Sequence, residues 1–201
     1  MPDQSYRTFL KNLEQQGELI NFTKEVDPAE NMSAIEWKAY NELGKASLFS
    51  NLKGHEGWQA TSQILADRKK WAIGLGVSED TILDEMSERL RQSIKTVEVD
   101  SDAAPVQEVV FEGDDVNILD VPAMMTSEED GGRYFASGMA IVKDPETGIR
   151  NMSVHRQMIL NERETGFIMV PRQAKRIYDM YAAQGKSMPV AMVYGAHPAI
   201  F

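Results

Sequence analysis

The chain contains no cysteine, and this absence removes several kinds of chemistry at once. Disulfide bonds, thiolate nucleophiles and cysteine-based zinc sites are excluded. The three histidines are scattered along the chain, so a histidine-based zinc site has no support either. A chain without disulfides is compatible with the reducing cytoplasm, which is the localisation we expect.

Positive charge and long apolar runs are also scarce, and this argues against two kinds of partner. The chain has 21 Lys and Arg against 31 Asp and Glu, which gives a formal net charge of −10. A nucleic-acid-binding protein needs a dense basic surface to neutralise phosphates, so we expect no nucleic-acid partner. No apolar stretch approaches the roughly 20 residues that cross a bilayer, and no signal peptide is visible, so we expect no membrane association. The glycine-rich motifs of Rossmann and P-loop nucleotide sites are missing as well.

Hydrophobic periodicity predicts an α/β or α+β domain for the first half of the chain, up to about Asp100. Predicted helices alternate there with short strands; the helices run from Ser5 to Gly17, from Met32 to Leu43, from Asp67 to Leu75 and from Ser78 onward. The three tryptophans, which all lie in this part, are interpreted as core anchors.

From about Asp100 the pattern changes to strands separated by turns. The predicted strands are residues 106–111, 133–143, 151–160 and 167–170, and the last three form an antiparallel meander. A helix from Pro171 to Gln184 and an apolar strand from Met188 to Tyr194 follow. Residues 198–201 are typical of a helix start and not of a polar tail, so we expect a fragment of a longer protein or assembly.

The residues best suited to chemistry are concentrated in the predicted strand that begins at Asn151. Its amide, the hydroxyl of Ser153, the imidazole of His155 and the guanidinium of Arg156 lie within six residues. Composition alone favours a half-buried hairpin strand with polar residues facing water. Strict alternation puts Asn151, Ser153 and His155 on one face and Arg156 on the other. A site shared by Asn151 and Arg156 would need Asn151 at the start of the strand, or a bulge.

Residues 144–156, with the sequence DPETGIRNMSVHR, resemble the signature of the UbiD family of decarboxylases. In that family a D-P-x-T-G turn leads into an N-x-(S/G)-x-x-R strand. Residues 120–122, 130–134 and 195–198 also match, in the family's order, and the resemblance covers the whole chain. It implies an α+β fold: an N-terminal α/β domain, residues 1–115, followed by the first part of a flavin-binding split β-barrel, residues 116–201.

The resemblance also implies a site for prenylated flavin mononucleotide (prFMN). The matching positions are Asn151, Ser153, Val154, His155, Arg156, Arg172 and Gln173. By position, Asn151 is a ligand of Mn²⁺ at the flavin phosphate, and Arg156 contacts the substrate carboxylate as the catalytic residue. Gln173 stands where some members carry a metal-binding histidine, so its role as a ligand is open. The family's glutamate ligand has no counterpart here, and Glu128, Glu129 and Asp130 are predicted to lie in a solvated loop.

The activity that the resemblance implies is reversible, non-oxidative decarboxylation of an aromatic, heteroaromatic or α,β-unsaturated carboxylic acid, with CO₂ as co-product. It further implies Mn²⁺, a K⁺ ion nearby, a flavin prenyltransferase as cofactor supplier, and a homo-oligomer. Two other classes stay open. In the first, the chain is a non-catalytic flavin- or phosphate-binding fragment, or one subunit of a multi-chain decarboxylase. In the second, it is a structural interaction protein without a cofactor.

Overall fold

The computed structural model describes residues 5–92 and 94–200 and confirms the α+β class. Two sheets carry the fold. The first is three-stranded, with the order β1-β2-β3, and the second is four-stranded, with the order β6-β5-β4-β7. None of the described helices is both long and apolar enough to cross a membrane.

The N-terminal part is a small sheet covered by helices. Its elements are α1 (Tyr6–Gln15), β1 (Leu19–Phe22), α2 (Met32–Leu43), β2 (Ala46–Phe49), β3 (Ala60–Ser62), α3 (Arg68–Leu75) and α4 (Ile82–Arg91). Strand β2 pairs parallel to β1 and antiparallel to β3. The predicted amphipathic face of α1 is buried as Phe9, Leu10 and Leu13. Gly44 and Gly76 end α2 and α3 in the left-handed conformation, as their positions predict.

A buried lysine joins α3 to the end of α2 and the start of β1. Lys70 is 0% exposed, and its Nζ donates to the Gly44 carbonyl at 2.7 Å and lies 3.5 Å from Glu18 Oε2. Asp67 caps α3 by accepting from the Lys70 backbone N–H at 3.0 Å. Burial alone would raise the pKa of Glu18, but the hydrogen bond from Lys69 and the surrounding lysine charges outweigh it and lower the pKa.

The C-terminal part is a curled antiparallel sheet with one covering helix. Its elements are β4 (Tyr134–Lys143), β5 (Arg150–Ile159), β6 (Thr165–Gly166), α5 (Gln173–Ala183) and β7 (Val190–Val193). The long strand β4 pairs antiparallel with both β5 and β7. Helix α5 packs Ala174 and Ile177 onto Val142 of β4. Arg176 of α5 also donates to Asp144, just after β4, at 2.7 Å, so the helix is fastened to the β4–β5 turn.

Two predicted strands are wrong. Residues 106–111 contain a short 3-10 turn and no ladder pairing, and their large apolar side chains are between 53% and 81% exposed. The β propensity of this segment is not realised because no described strand lies beside it. The third strand of the meander is β6, two residues long, and residues 167–170 beyond it are unpaired.

The interpretation of the tryptophans as core anchors is also wrong for two of the three. Trp37 and Trp58 are nearly half exposed, whereas Trp71 is partly buried and donates to the Leu65 carbonyl at 2.9 Å. The core of the N-terminal part is built around phenylalanine instead, with Phe9 and Phe49 almost fully buried. The prediction failed because large aromatic side chains are often buried on only one side.

The segment between the two sheets is held against the N-terminal part by backbone groups. The Met125 N–H donates to the Pro28 carbonyl at 3.1 Å, and Ser33 Oγ donates to the Thr126 carbonyl at 2.9 Å. His55 Nδ1 lies 2.9 Å from the Asp120 carbonyl oxygen, so this imidazole also joins the segment to the N-terminal part. These contacts fix the start of the acidic loop, residues 126–132, which leads directly into β4.

Candidate functional site

Strand β5 carries the predicted site residues, and its register with β4 determines where they point. Asn151, Ser153 and His155 lie opposite Val142, Ala140 and Gly138 of β4, respectively. Residues directly opposite in an antiparallel pair share a face, so these three side chains lie on the face that α5 partly covers. All three are partly buried.

His155 is held by its neighbours on this covered face. Its Nε2 lies 2.9 Å from Ser153 Oγ, and its ring packs against Phe167 with centroids 5.0 Å apart. Beyond Phe167 an open groove of about 570 Å³ runs between α5 and the start of β7. These contacts hold the His155 imidazole against Phe167, which lines the groove.

Arg156 lies on the opposite, exposed face of β5, together with Met152 and Val154. Its guanidinium carbon sits 4.4 Å from the centre of the Tyr134 ring, and its Nη2 is 3.6 Å from Asp130 Oδ1. A cation over an aromatic face and beside a carboxylate is attracted by both. The positively charged guanidinium therefore lies on the same exposed face of β5 as the apolar side chains of Met152 and Val154.

A β-bulge shapes this end of the sheet. Phe135 pairs with Gln157 and Gly138 pairs with His155, so two residues of β4, Ala136 and Ser137, face the single residue Arg156. A bulge bends its strand and increases the local twist. In the sequence, Ala136-Ser137-Gly138 is only a run of small residues, and nothing in the hydrophobic pattern indicates a bulge there.

The structure therefore separates two groups that the resemblance was expected to bring into one cavity. The bulge lies in β4, so β5 keeps its alternation from Arg150 to Gln157. Asn151 and Arg156, five residues apart, consequently point to opposite faces of the sheet. The described residues thus form a polar region on the covered face and a separate cationic region on the exposed face.

Arg172 and Gln173 are located at the start of α5. Arg172 is the N-cap residue with an extended backbone, Gln173 is the first helical residue, and both side chains are exposed. Neither side chain, nor that of Asn151, forms a hydrogen bond or ion pair with another described residue. Free backbone N–H groups and a positive dipole end favour an anion at a helix start. These three side chains are available for an external ligand such as a phosphate.

The described residues contain no group of three or more His, Asp or Glu side chains that could hold a metal ion. The donors that remain are the amide oxygens of Asn151 and Gln173, which suit a hard cation such as Mn²⁺ in kind. Both donors are neutral and carry no charge to balance the ion. The residues present therefore fit such a metal only together with anionic oxygens from a ligand or from another part of the protein.

Two residues of the cationic region were missed as functional candidates in the sequence. Asp130 was assigned to a solvated loop, but its side chain is only 20% exposed and pairs with Arg156. Tyr134 was noted only as part of a matching segment. Asp130 and Tyr134 lie more than 20 residues before Arg156 in the chain, and hydrophobic periodicity does not reveal contacts over such a separation. The resemblance of residues 130–134 to the UbiD family was the one sequence feature that pointed to them.

Two family models together match most of the chain. The UbiD_N model, described as the 3-octaprenyl-4-hydroxybenzoate carboxy-lyase N-terminal domain, matches residues 10–90. The UbiD model, described as the Rift-related domain of the same carboxy-lyase, matches residues 97–201. The α+β fold with its curled sheet defines the N-terminal portion of a UbiD-type protein, and the chain belongs to the UbiD family.

Relatives with known activities are similar over nearly the whole chain. Ferulic acid decarboxylase 1 of Saccharomyces cerevisiae is 29% identical over 98% of this chain and 43% of its own length. Pyrrole-2-carboxylic acid decarboxylase of Pseudomonas aeruginosa is 29% identical over 96% of this chain and 42% of its own length. The chain thus spans less than half the length of these relatives.

A solved structure of a UbiD-class enzyme is also similar to nearly the whole of this chain. The UbiD-class enzyme HmfF of Pelotomaculum thermopropionicum, in an evolved dimeric form in complex with prFMN, superposes with a TM-score of 0.91 at 26% identity. The likeness covers 98% of this chain and 46% of the HmfF chain. The predicted α+β architecture and the family resemblance are confirmed.

Proposed function

We propose that this chain is the prFMN-binding portion of a carboxy-lyase that decarboxylates an aromatic, heteroaromatic or α,β-unsaturated carboxylic acid reversibly and without net oxidation. The observation that carries the proposal is the ordered match of both UbiD models across residues 10–90 and 97–201. Relatives that act on ferulic acid and on pyrrole-2-carboxylic acid support the substrate class. HmfF in complex with prFMN supports the cofactor.

The chemical problem explains the need for a cofactor. Loss of CO₂ from an sp² carbon leaves an electron pair with no stabilisation, and bound prFMN supplies the electron sink. The protein must bind the carboxylate and keep it oriented. Arg156 suits this task, because its planar guanidinium matches two carboxylate oxygens. Met152 and Val154, exposed beside it on the same face, provide apolar surface for an unsaturated or aromatic body.

The phosphate end of the cofactor would be held by the polar region on the other face. Asn151, Arg172 and Gln173 have free side chains, and the start of α5 favours an anion. With the flavin phosphate supplying negative oxygens, Asn151 and Gln173 would contribute neutral ligands to Mn²⁺, with K⁺ as a further ion nearby. Ser153 and His155 would contact the cofactor from the covered face of β5, and Val154 would contact it from the exposed face.

The remaining assignments follow the family. A flavin prenyltransferase would supply the cofactor, the enzyme would act in the cytoplasm, and copies of the chain would associate, as the dimeric form of HmfF illustrates.

The proposal is tested by Arg156→Ala in the intact enzyme, expressed together with a flavin prenyltransferase. We expect CO₂ release to fall by a factor on the order of 100 or more, because a group that stabilises charge at the reacting centre is lost. The flavin absorption of the purified protein should be unchanged. The matched control is Arg150→Ala, since Arg150 lies on the same strand but forms its ion pair with Glu98, at 2.7 Å, and not with Asp130. Normal turnover in Arg156→Ala would remove the catalytic role of Arg156, and no CO₂ release from the flavin-loaded, unsubstituted enzyme with any acid of this class would remove the decarboxylase assignment.

A second candidate is favoured by the short span of the chain. Because it covers 43% of ferulic acid decarboxylase 1, its own function could be to bind flavin or phosphate without turnover, as a fragment or as one subunit of a multi-chain decarboxylase. The chain produced alone with a flavin prenyltransferase would then carry flavin but release no CO₂. Activity restored by a separately produced polypeptide would identify the subunit, and turnover by the chain alone would exclude this candidate.

A further inference from the structure

We propose that Asp130 and Tyr134 are positioning residues that hold the Arg156 guanidinium in one orientation before substrate arrives. This inference rests on the proposed role of Arg156 in binding the substrate carboxylate. It assigns a function to the acidic loop, residues 126–132, which the sequence suggested was only a solvated connection.

The Asp130 side chain is held in place by contacts within its own loop as well as by Arg156. Its Oδ2 accepts the Ser127 backbone N–H at 3.1 Å, and its own N–H donates to the Ser127 carbonyl at 3.1 Å. The other oxygen, Oδ1, is the one that lies 3.6 Å from Arg156 Nη2. The carboxylate therefore divides its two oxygens between the loop backbone and the guanidinium.

The burial of Asp130 distinguishes this ion pair from an ordinary surface pair. The Asp130 side chain is 20% exposed, whereas Asp114, which pairs with Arg163 at 2.8 Å, has a side chain that is 99% exposed. Exposed pairs contribute little because water screens both charges. Shielding of one partner makes the Asp130–Arg156 attraction more persistent despite its longer distance.

Tyr134 contacts one face of the Arg156 guanidinium with its aromatic ring. Its hydroxyl donates to Met158 Sδ at 3.3 Å, and its backbone N–H donates to the Met124 carbonyl at 3.1 Å, so the ring has little freedom. The Arg156 guanidinium lies over this ring at 4.4 Å. The bulge at Ala136 and Ser137 of β4 sits directly opposite Arg156 and increases the local twist of the sheet there.

These contacts leave part of the guanidinium free for a ligand. A guanidinium has five N–H donors, and Asp130 lies beside only the Nη2 end. The remaining donors can meet a substrate carboxylate in a geometry that is already set. A long arginine side chain otherwise samples many rotamers, and a misplaced group near the reacting atoms reduces the rate.

The test uses Asp130→Asn in the intact, prFMN-loaded enzyme. An asparagine keeps an oxygen for the Ser127 N–H, so the loop is retained while the charge is removed. We expect kcat to fall about tenfold, as for a displaced catalytic group, with a smaller change in KM and with unchanged flavin absorption. Asp130→Glu should recover part of the loss, because it restores the carboxylate. Glu129→Gln is the matched control, since Glu129 is an exposed neighbour that forms no ion pair with another described residue.

A second readout is independent of turnover. The ¹⁵N–¹H signal of the Arg156 guanidinium, assigned by its loss in Arg156→Ala, should broaden or exchange faster in Asp130→Asn and in Tyr134→Leu, but not in Glu129→Gln. If Asp130→Asn matches Glu129→Gln in both kcat and this signal, the positioning role is overturned while the role of Arg156 stands. If Arg156→Ala itself turns over normally, the proposed role of Arg156 in binding the carboxylate fails and this inference fails with it.

Discussion

Gly138 is the position where one added methyl group should disturb the sheet most. An alanine Cβ built there would lie 2.9 Å from Tyr194 Cε1, 3.0 Å from Met192 Cε and 3.1 Å from Tyr194 Oη. Met192 can yield, because its methyl group ends a flexible side chain. Tyr194 cannot yield without cost, because its hydroxyl donates to Oε1 of Gln157, a side chain that is only 2% exposed.

The size of the effect follows from these contacts. Overpacking of a well-packed site costs about 1–3 kcal/mol. If Tyr194 is displaced, a buried hydrogen bond to Gln157 is lost, which adds about 1 kcal/mol. Burial raises the pKa of Tyr194 to about 12, so its hydroxyl remains a donor through the neutral range. Gly138→Ala should therefore lower the free energy of unfolding by about 2–4 kcal/mol.

The assay is urea denaturation of the wild type and of Gly138→Ala, followed by tryptophan fluorescence and circular dichroism. Gly166→Ala is the matched control in the same sheet, because its Cβ would lie 3.6 Å from Leu160 Cδ1, an ordinary contact. A loss in Gly138→Ala no greater than that in Gly166→Ala would refute the packing argument.

Three further predictions concern the parts that hold the fold together. Lys70→Met should lower the free energy of unfolding, measured by denaturant titration, by about 3 kcal/mol. This is the smallest cost expected for breaking a buried ion pair, because the partners of Lys70 keep other contacts. Asp144 has a pKa held below its ordinary value of 3.8, first by the backbone N–H groups of the following turn and also by Arg176. Wild type should therefore be more stable than Asp144→Asn at neutral pH, and the difference should close as the pH falls below 3.8. Gly74→Ala should destabilise by about 1–3 kcal/mol, despite a gain in helix propensity, because its Cβ would lie 2.9 Å from Pro198 Cγ; a lowered melting temperature would show this.

Local signals in the sequence were sufficient for the helices and for the longest strands. Helix α2 has the predicted bounds, Met32–Leu43, because a glycine suited to the left-handed conformation marks its end. Strand β5 was predicted within one residue, since the turn rich in Asp, Pro and Gly before it is a strong local signal. These features depend on residues close together in the chain.

Features that depend on distant neighbours could not be predicted. The segment 106–111 has the composition of a strand, but a strand also needs a partner, and none of the described strands lies beside it. The bulge opposite Arg156 arises from the pairing of two long strands and leaves no periodic trace. Asp130 was taken for a solvated acid because its ion pair joins residues 26 positions apart.

In the site, too, the local strand pattern could be predicted from the sequence, whereas the arrangement of distant residues could not. Alternation along β5 correctly placed Asn151 and Arg156 on opposite faces, whereas the family resemblance led us to expect one shared cavity. The described residues keep these two groups on opposite faces of β5. The ligand roles of Asn151, Arg172 and Gln173 stay predictions until a bound cofactor is observed.

The most direct test of the account is the absorption spectrum and intact mass of the protein purified from cells that also make a flavin prenyltransferase. The account predicts a flavin spectrum and, after denaturation, release of a molecule with the mass of prFMN. Asn151→Ala should reduce this loading, because the proposed phosphate and metal contacts are weakened. Protein that is folded but carries no flavin under these conditions would contradict the account.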